Sequence, residues 1–63
     1  DVEARKWYEQ AAALGSVDAM FNLGVVYELG QGVTADSKKA RQWYQKAADA
    51  NDEEAKTRLK NLK

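Results

Sequence analysis

Trp7-Tyr8 returns 36 residues later as Trp43-Tyr44, and the flanking residues keep the same register. Ala4-Arg5-x-Trp7-Tyr8-x-x-Ala11-Ala12 becomes Ala40-Arg41-x-Trp43-Tyr44-x-x-Ala47-Ala48. At the same offset Ala19 pairs with Ala55 and Leu23 with Leu59. Self-similarity at one period between about 20 and 50 residues marks a stacked repeat. A single unit of this kind cannot bury its apolar face alone, so neighbouring units must pack on one another. The repeat therefore constrains the fold more than any bulk property does.

The spacing within each copy identifies the element. Ala4, Trp7, Tyr8, Ala11 and Ala12 recur at i, i+3, i+4, i+7 and i+8, one face of a helix. This predicts a helix over residues 2–13, ended by Gly15 in the left-handed conformation. Ser16 is suited to cap the next helix. Residues 17–29 carry Val17, Ala19, Met20, Phe21, Leu23, Val25, Val26, Tyr27 and Leu29 on more than one face. A helix apolar on several sides needs several neighbours, so this one belongs in the middle.

The longest connector is Gly30-Gln31-Gly32-Val33-Thr34-Ala35-Asp36, with Val33 returning to the core. Asp36, with Thr34 as the alternative, is the expected cap for a third helix over residues 37–50. Asn51 stands where Gly15 stood and tolerates the same left-handed turn. Asp52 should cap a fourth helix over residues 53–62. Glu53 and Glu54 at its start, with Lys60 and Lys63 at its end, complement the helix dipole.

The fourth helix copies the second with fewer apolar residues. Met20, Phe21, Val25 and Tyr27 become Lys56, Thr57, Asn61 and Lys63. Ala55, Leu59 and Leu62 leave one narrow stripe, as expected of a helix that closes a stack. The chain begins at Asp1, inside a repeat, and so reads as a piece cut on its N-terminal side. The expected core is Ala4, Trp7, Tyr8, Ala11, Leu23, Tyr27, Val33, Ala40, Trp43, Tyr44, Ala47 and Leu59.

Taken together, Ala19-x-x-x-Leu23-Gly24-x-x-Tyr27-x-x-Gly30-x-Gly32-Val33-x-x-Asp36, followed by Ala40-x-x-Trp43-Tyr44-x-x-Ala47-Ala48, closely resembles the Sel-one-like repeat family. That family is related to the tetratricopeptide repeats, whose period is about 34 residues. The resemblance covers nearly the whole chain. It implies an all-α, α/α solenoid: four antiparallel helices forming one and a half to two repeats of a right-handed superhelix, with residues 1–63 as one domain. It also implies service as an adaptor or scaffold for protein complexes, in a family with many periplasmic or secreted bacterial members. The chain departs from the pattern at Thr34, where proline is frequent, and at Asn51 and Lys60, which replace the counterparts of Gly15 and Gly24. A lysine at the Gly24 position does not suit a tightly packed neighbour, in keeping with an end cap.

Composition narrows the chemistry. Sixty-three residues make one small domain, and ten basic residues balance ten acidic ones. A neutral chain lacks the basic excess of a nucleic-acid or anionic-membrane surface. No apolar run approaches the roughly 18 residues of a membrane span. With neither histidine nor cysteine, the usual nucleophile, base and metal ligands are missing. No cofactor, metal or catalytic residue is expected, and no enzyme activity.

Other features have structural readings. The Trp-Tyr pairs have core spacing rather than the arrangement of a stacking platform. Gly30-x-Gly32 follows a helix, not a strand, and lacks the remainder of a phosphate loop. Lys38, Lys39, Arg41 and Lys46 are read as a solvated face.

One patch has a functional reading. By resemblance to the tetratricopeptide groove, the concave positions are Phe21, Asn22, Val25, Glu28 and Leu29 on the second helix. On the fourth they are Glu54, Thr57, Arg58 and Asn61. Asn22 aligns with a position that contacts peptide backbone, and its amide can both donate and accept. The expectation is a protein or peptide partner held on this face. The competing expectation is structural: the patch, or the N-terminal face, packs on another repeat or a second copy in a homo-oligomer.

Overall fold

The computed structural model describes residues 2–62. Four helices follow one another: α1 (Val2–Ala13), α2 (Val17–Leu29), α3 (Ser37–Asp49) and α4 (Glu53–Asn61). No strand occurs among the described residues. Each helix packs on the next in sequence, so α2 and α3 have neighbours on two sides. This is the all-α solenoid arrangement, and it accounts for the several apolar faces of α2.

The repeat extends to individual hydrogen bonds at the turns. After α1, Gly15 (φ +95°) donates to the Ala12 carbonyl at 2.9 Å and Ser16 to that of Ala11 at 3.0 Å. After α3, Asn51 (φ +71°) donates to Ala48 at 2.8 Å and Asp52 to Ala47 at 3.1 Å. Both are Schellman caps, which satisfy the last carbonyls of a helix through a left-handed residue. The residue leaving each cap starts the next helix: the Ser16 hydroxyl accepts from Ala19 N–H, and Asp52 from Glu54 and Ala55 N–H. Two side-chain types perform each task at equivalent positions.

Asp36 is the cap of α3, its Oδ1 accepting from Lys38 and Lys39 N–H. The connector before it is pinned at both ends. Gly30 (φ +71°) donates to the Val26 carbonyl at 2.9 Å, and Asp36 N–H to the Tyr27 carbonyl at 2.9 Å. A Cβ at Gly30 would also lie 3.2 Å from the Val33 carbonyl oxygen, so both conformation and space favour glycine. Val33 is half-buried against the core.

Two helices end one residue before their expected limits. Ala50 leaves helical geometry (ψ 16°) as the C-cap of α3, its N–H donating to Ala47 and Ala48. Leu62 is extended as the C-cap of α4. Lys63, expected to complement the α4 dipole, lies outside the described residues. Arg58 and Lys60 occupy the last turn of that helix.

The core centres on the α2–α3 contact. Leu23, Ala40, Tyr44, Ala47 and Ala55 are fully buried. A Cβ on Gly24 would sit 2.5 Å from Cδ1 and Cε1 of Tyr44, well inside contact distance. Glycine is what lets the Tyr44 ring lie against the α2 backbone. Ala12, Ala19, Val26 and Ala48, absent from the expected core, are also buried. Small residues there allow the helices to approach.

One expected core residue is displaced. Trp7 is 69 % exposed, whereas Trp43 is half-buried and packs against the core. Tyr8 and Ala11 remain half-buried against that cluster. Spacing alone identifies the face of α1, but burial also requires something to cover it. Among the described residues nothing covers Trp7, and Leu14 beside it is 90 % exposed.

Candidate functional site

The surface shared by α2 and α4 is built around the Tyr44 hydroxyl. Tyr44 comes up from α3, fully buried, and donates to Glu28 Oε1 at 2.6 Å. Glu28 is in turn 3.8 Å from Arg58 Nη1 on α4. The Arg58 guanidinium lies 5.7 Å from the centre of the Phe21 ring, and that ring is 5.6 Å from Tyr44. Three helices thus meet at a cluster of Phe21, Glu28, Tyr44 and Arg58.

Electrostatics follow from burial. Removal from water raises the pKa of the Tyr44 hydroxyl well above its ordinary value; the bond to Glu28 and that residue's charge raise it further. Arg58 acts in the opposite direction. Tyr44 therefore stays a neutral donor that orients Glu28. The Glu28–Arg58 pair is half-exposed at 31 % and 43 % of its side chains, where a single long contact contributes little stability. Glu28 is held firmly and Arg58 loosely.

The structure brings some of the expected residues together and not others. Phe21, Asn22, Val25 and Glu28 are half-buried along α2, and Leu29 at its end is 61 % exposed. On α4, Glu54, Thr57, Arg58 and Asn61 are exposed. Arg58 reaches α2, but the Thr57 hydroxyl turns back to the Glu53 carbonyl of its own helix at 3.2 Å. Glu28 is engaged from within by Tyr44, a link between residues 16 apart on different helices that no local pattern signals. The tyrosine itself was visible only as a core residue.

Among the described residues no group of acidic side chains is arranged to hold a metal ion. No helix of the described residues is long and apolar enough to cross a membrane.

Residues 1–16 and 17–52 match the Sel1 repeat family. The second match coincides with α2, the connector and α3 together with the turn that follows; the first covers α1 and its turn. The chain is 39 % identical over 59 residues to the chitin synthase regulator SKT5 of Saccharomyces cerevisiae, covering 94 % of this chain and 8 % of that protein. It is 40 % identical over 57 residues to chitin synthase regulatory factor 3 of Schizosaccharomyces pombe, covering 90 % of this chain and 6 % of that one. Identity to the DAP3-binding cell death enhancer 1 of Rattus norvegicus is 38 % over 60 residues, 95 % of this chain and 12 % of the relative. The chain thus spans a small fraction of the length of these relatives. No solved structure matches it significantly. Sel1 repeats generally serve protein–protein interaction, and by its pattern, its helices and these matches the chain is a member of the Sel1 repeat family.

Proposed function

We propose that this chain is a non-catalytic interaction module that holds a peptide or partner segment on its α2–α4 face. The observation that carries the reading is the junction at Arg58, which contacts both Phe21 and Glu28 and so joins the two helices into one surface. Along it lie half-buried Phe21 and Val25, and the exposed Leu29. Asn22 makes no side-chain hydrogen bond among the described residues, leaving an amide that can donate to and accept from a peptide backbone. Apolar seats beside a free amide are what an extended segment requires. Relatives named as regulators of chitin synthase fit a role exerted through contact with another protein.

A random-peptide library selected against the chain tests this. Selected peptides should lose at least tenfold in affinity on Asn22→Ala and on Phe21→Ala, with helical circular dichroism retained. Phe21 also packs on Tyr44, so Asn22→Ala is the cleaner variant. If peptides bind both variants as tightly as the parent chain, the face is wrongly assigned.

The second reading is structural, and the α1 surface favours it. Trp7, Gln10, Ala11 and Leu14 line an open depression of about 190 Å³. By the 36-residue equivalence Trp7 and Ala11 match Trp43 and Ala47, which pack into the core, while Gln10 and Leu14 match the exposed Lys46 and Ala50; among the described residues the Trp7–Ala11 edge lacks that cover. Another repeat, or a second copy, would bury it in the same manner. Sedimentation over a concentration series distinguishes the two: self-association abolished by Trp7→Ala favours the structural role, and a persistent monomer favours the peptide face.

A further inference from the structure

A second surface, away from the α2–α4 face, is chemically more specific. Arg5, Tyr27, Thr34, Asp36 and Lys39 are among the residues lining a cavity of about 270 Å³ where α1, the connector and α3 meet. A neighbouring cavity of about 230 Å³ shares Tyr27 and Lys39 and continues to Glu9, Trp43 and Lys46. The two form one groove with an aromatic floor, along α3.

Its charges are unevenly engaged. Asp36 is occupied by the N–H groups of Lys38 and Lys39 as a helix cap. Glu9 is 3.5 Å from Arg5 Nη1. Lys39 lies over the Tyr27 ring at 5.3 Å and Lys46 over the Trp43 ring at 4.7 Å. Neither lysine makes an ion pair among the described residues. Arg5 Nε is buried without a hydrogen-bond partner. That nitrogen is sealed from solvent, but the Arg5 side chain as a whole is one-quarter exposed, so a carboxylate entering the groove would accept from the Nη groups of Arg5 and from the Lys39 ammonium together.

We propose that this groove docks an acidic segment of a protein partner, with one carboxylate at Arg5 and Lys39 and a second at Lys46. Lys39 and Lys46 are seven residues apart on α3, about 10 Å along its axis. In a polyproline II segment, residues three apart face the same side and are separated by about 9 Å. The occupant is therefore an extended segment with acidic residues three apart. The docking is independent of the Phe21–Asn22 face.

The test is a titration of the 15N-labelled chain with the blocked peptide Glu-Pro-Pro-Glu-Pro-Pro. Controls are its glutamine counterpart and inorganic phosphate, all at matched ionic strength. Expected are saturable shifts at Arg5 Nε–H, the Ala35 amide and the Trp43 indole N–H, absent with the glutamine peptide. Lys39→Gln, an exposed position, should weaken binding at least fivefold, and Asn22→Ala should leave it unchanged. Shifts centred on Lys38 and Arg41, or no effect of Lys39→Gln, would overturn the proposal. So would phosphate producing the same shifts at equal or lower concentration, which would make the groove a simple anion site.

Discussion

The two copies of the Trp-Tyr stripe are nearly identical in sequence and differ in surroundings. On α3, Tyr44 is fully buried and Trp43 half-buried; on α1, Tyr8 is half-buried and Trp7 is 69 % exposed. The α3 stripe has α2 on it, with Gly24 shaped to receive the tyrosine ring. The α1 stripe has α2 on one side and no such helix on the other among the described residues. The same residues are therefore core in one place and surface in the other. In a repeat protein the sequence of a unit specifies what it can bury, and its neighbour decides what it does bury.

The largest expected break in this comparison is at the tyrosines. Tyr44→Ala removes a fully buried ring, at about 3–5 kcal/mol by analogy with other aromatic truncations. A domain of this size has roughly 3–5 kcal/mol to lose, so thermal denaturation should find Tyr44→Ala largely unfolded. Tyr8→Ala, half-buried, should remain folded with a lower Tm. Equal losses at both positions would mean the copies are equivalent after all.

Next come the tryptophans. Trp43→Ala should cost about 2 kcal/mol, below the range for a fully buried aromatic. Trp7→Ala should stay within about 0.5 kcal/mol, as for other surface changes. Urea midpoints at low protein concentration, where self-association is negligible, measure the difference.

Gly24→Ala sharpens the account of why α3 is closed. Alanine favours the helix by up to about 1 kcal/mol. Its methyl would nevertheless lie 2.5 Å from the Tyr44 ring, and overpacking of this kind costs about 1–3 kcal/mol. Net destabilisation of about 1 kcal/mol is expected, and it should vanish in a Tyr44→Leu background. A stabilised Gly24→Ala would mean that the ring has room to move.

The last change removes only the Tyr44 hydroxyl. Tyr44→Phe removes one hydrogen bond to a carboxylate, about 1–2 kcal/mol at neutral pH. The pH dependence identifies it. Because burial raises the folded-state pKa, the native chain holds this proton after the unfolded chain has released it. The associated stability is complete below the ordinary tyrosine value of about 10 and declines as pH rises beyond it. Tyr44→Phe should lose that part of the alkaline slope, measured by denaturation between neutral and alkaline pH.

Most of the fold was legible because its signals are local. The apolar stripe defines a helix from residues within two turns of each other. Ser16, Asp36 and Asp52 announce helix starts, and Gly15 and Asn51 announce ends, through bonds to residues at most five away. Asn51 shows that the conformation, not the glycine, is what repeats. The illegible parts depend on distant partners. The hydroxyl bond from Tyr44 to Glu28 and the reach of Arg58 to Phe21 join separate helices. Glu28 could be placed on the candidate face by its register, but its internal engagement could not. Trp7 departs from its expected burial for the complementary reason: its spacing matches that of Trp43, and the cover that separates them lies outside the motif.

The most direct test compares the two indoles in one scaffold. Trp43→Phe leaves Trp7 as the sole tryptophan, and Trp7→Phe leaves Trp43. Acrylamide quenching of each, at a concentration where sedimentation shows a monomer, reports exposure without reference to stability. Trp7 should be quenched almost as readily as a free indole, and Trp43 should be protected severalfold. Equal quenching of the two would contradict the claim that only the second stripe is covered.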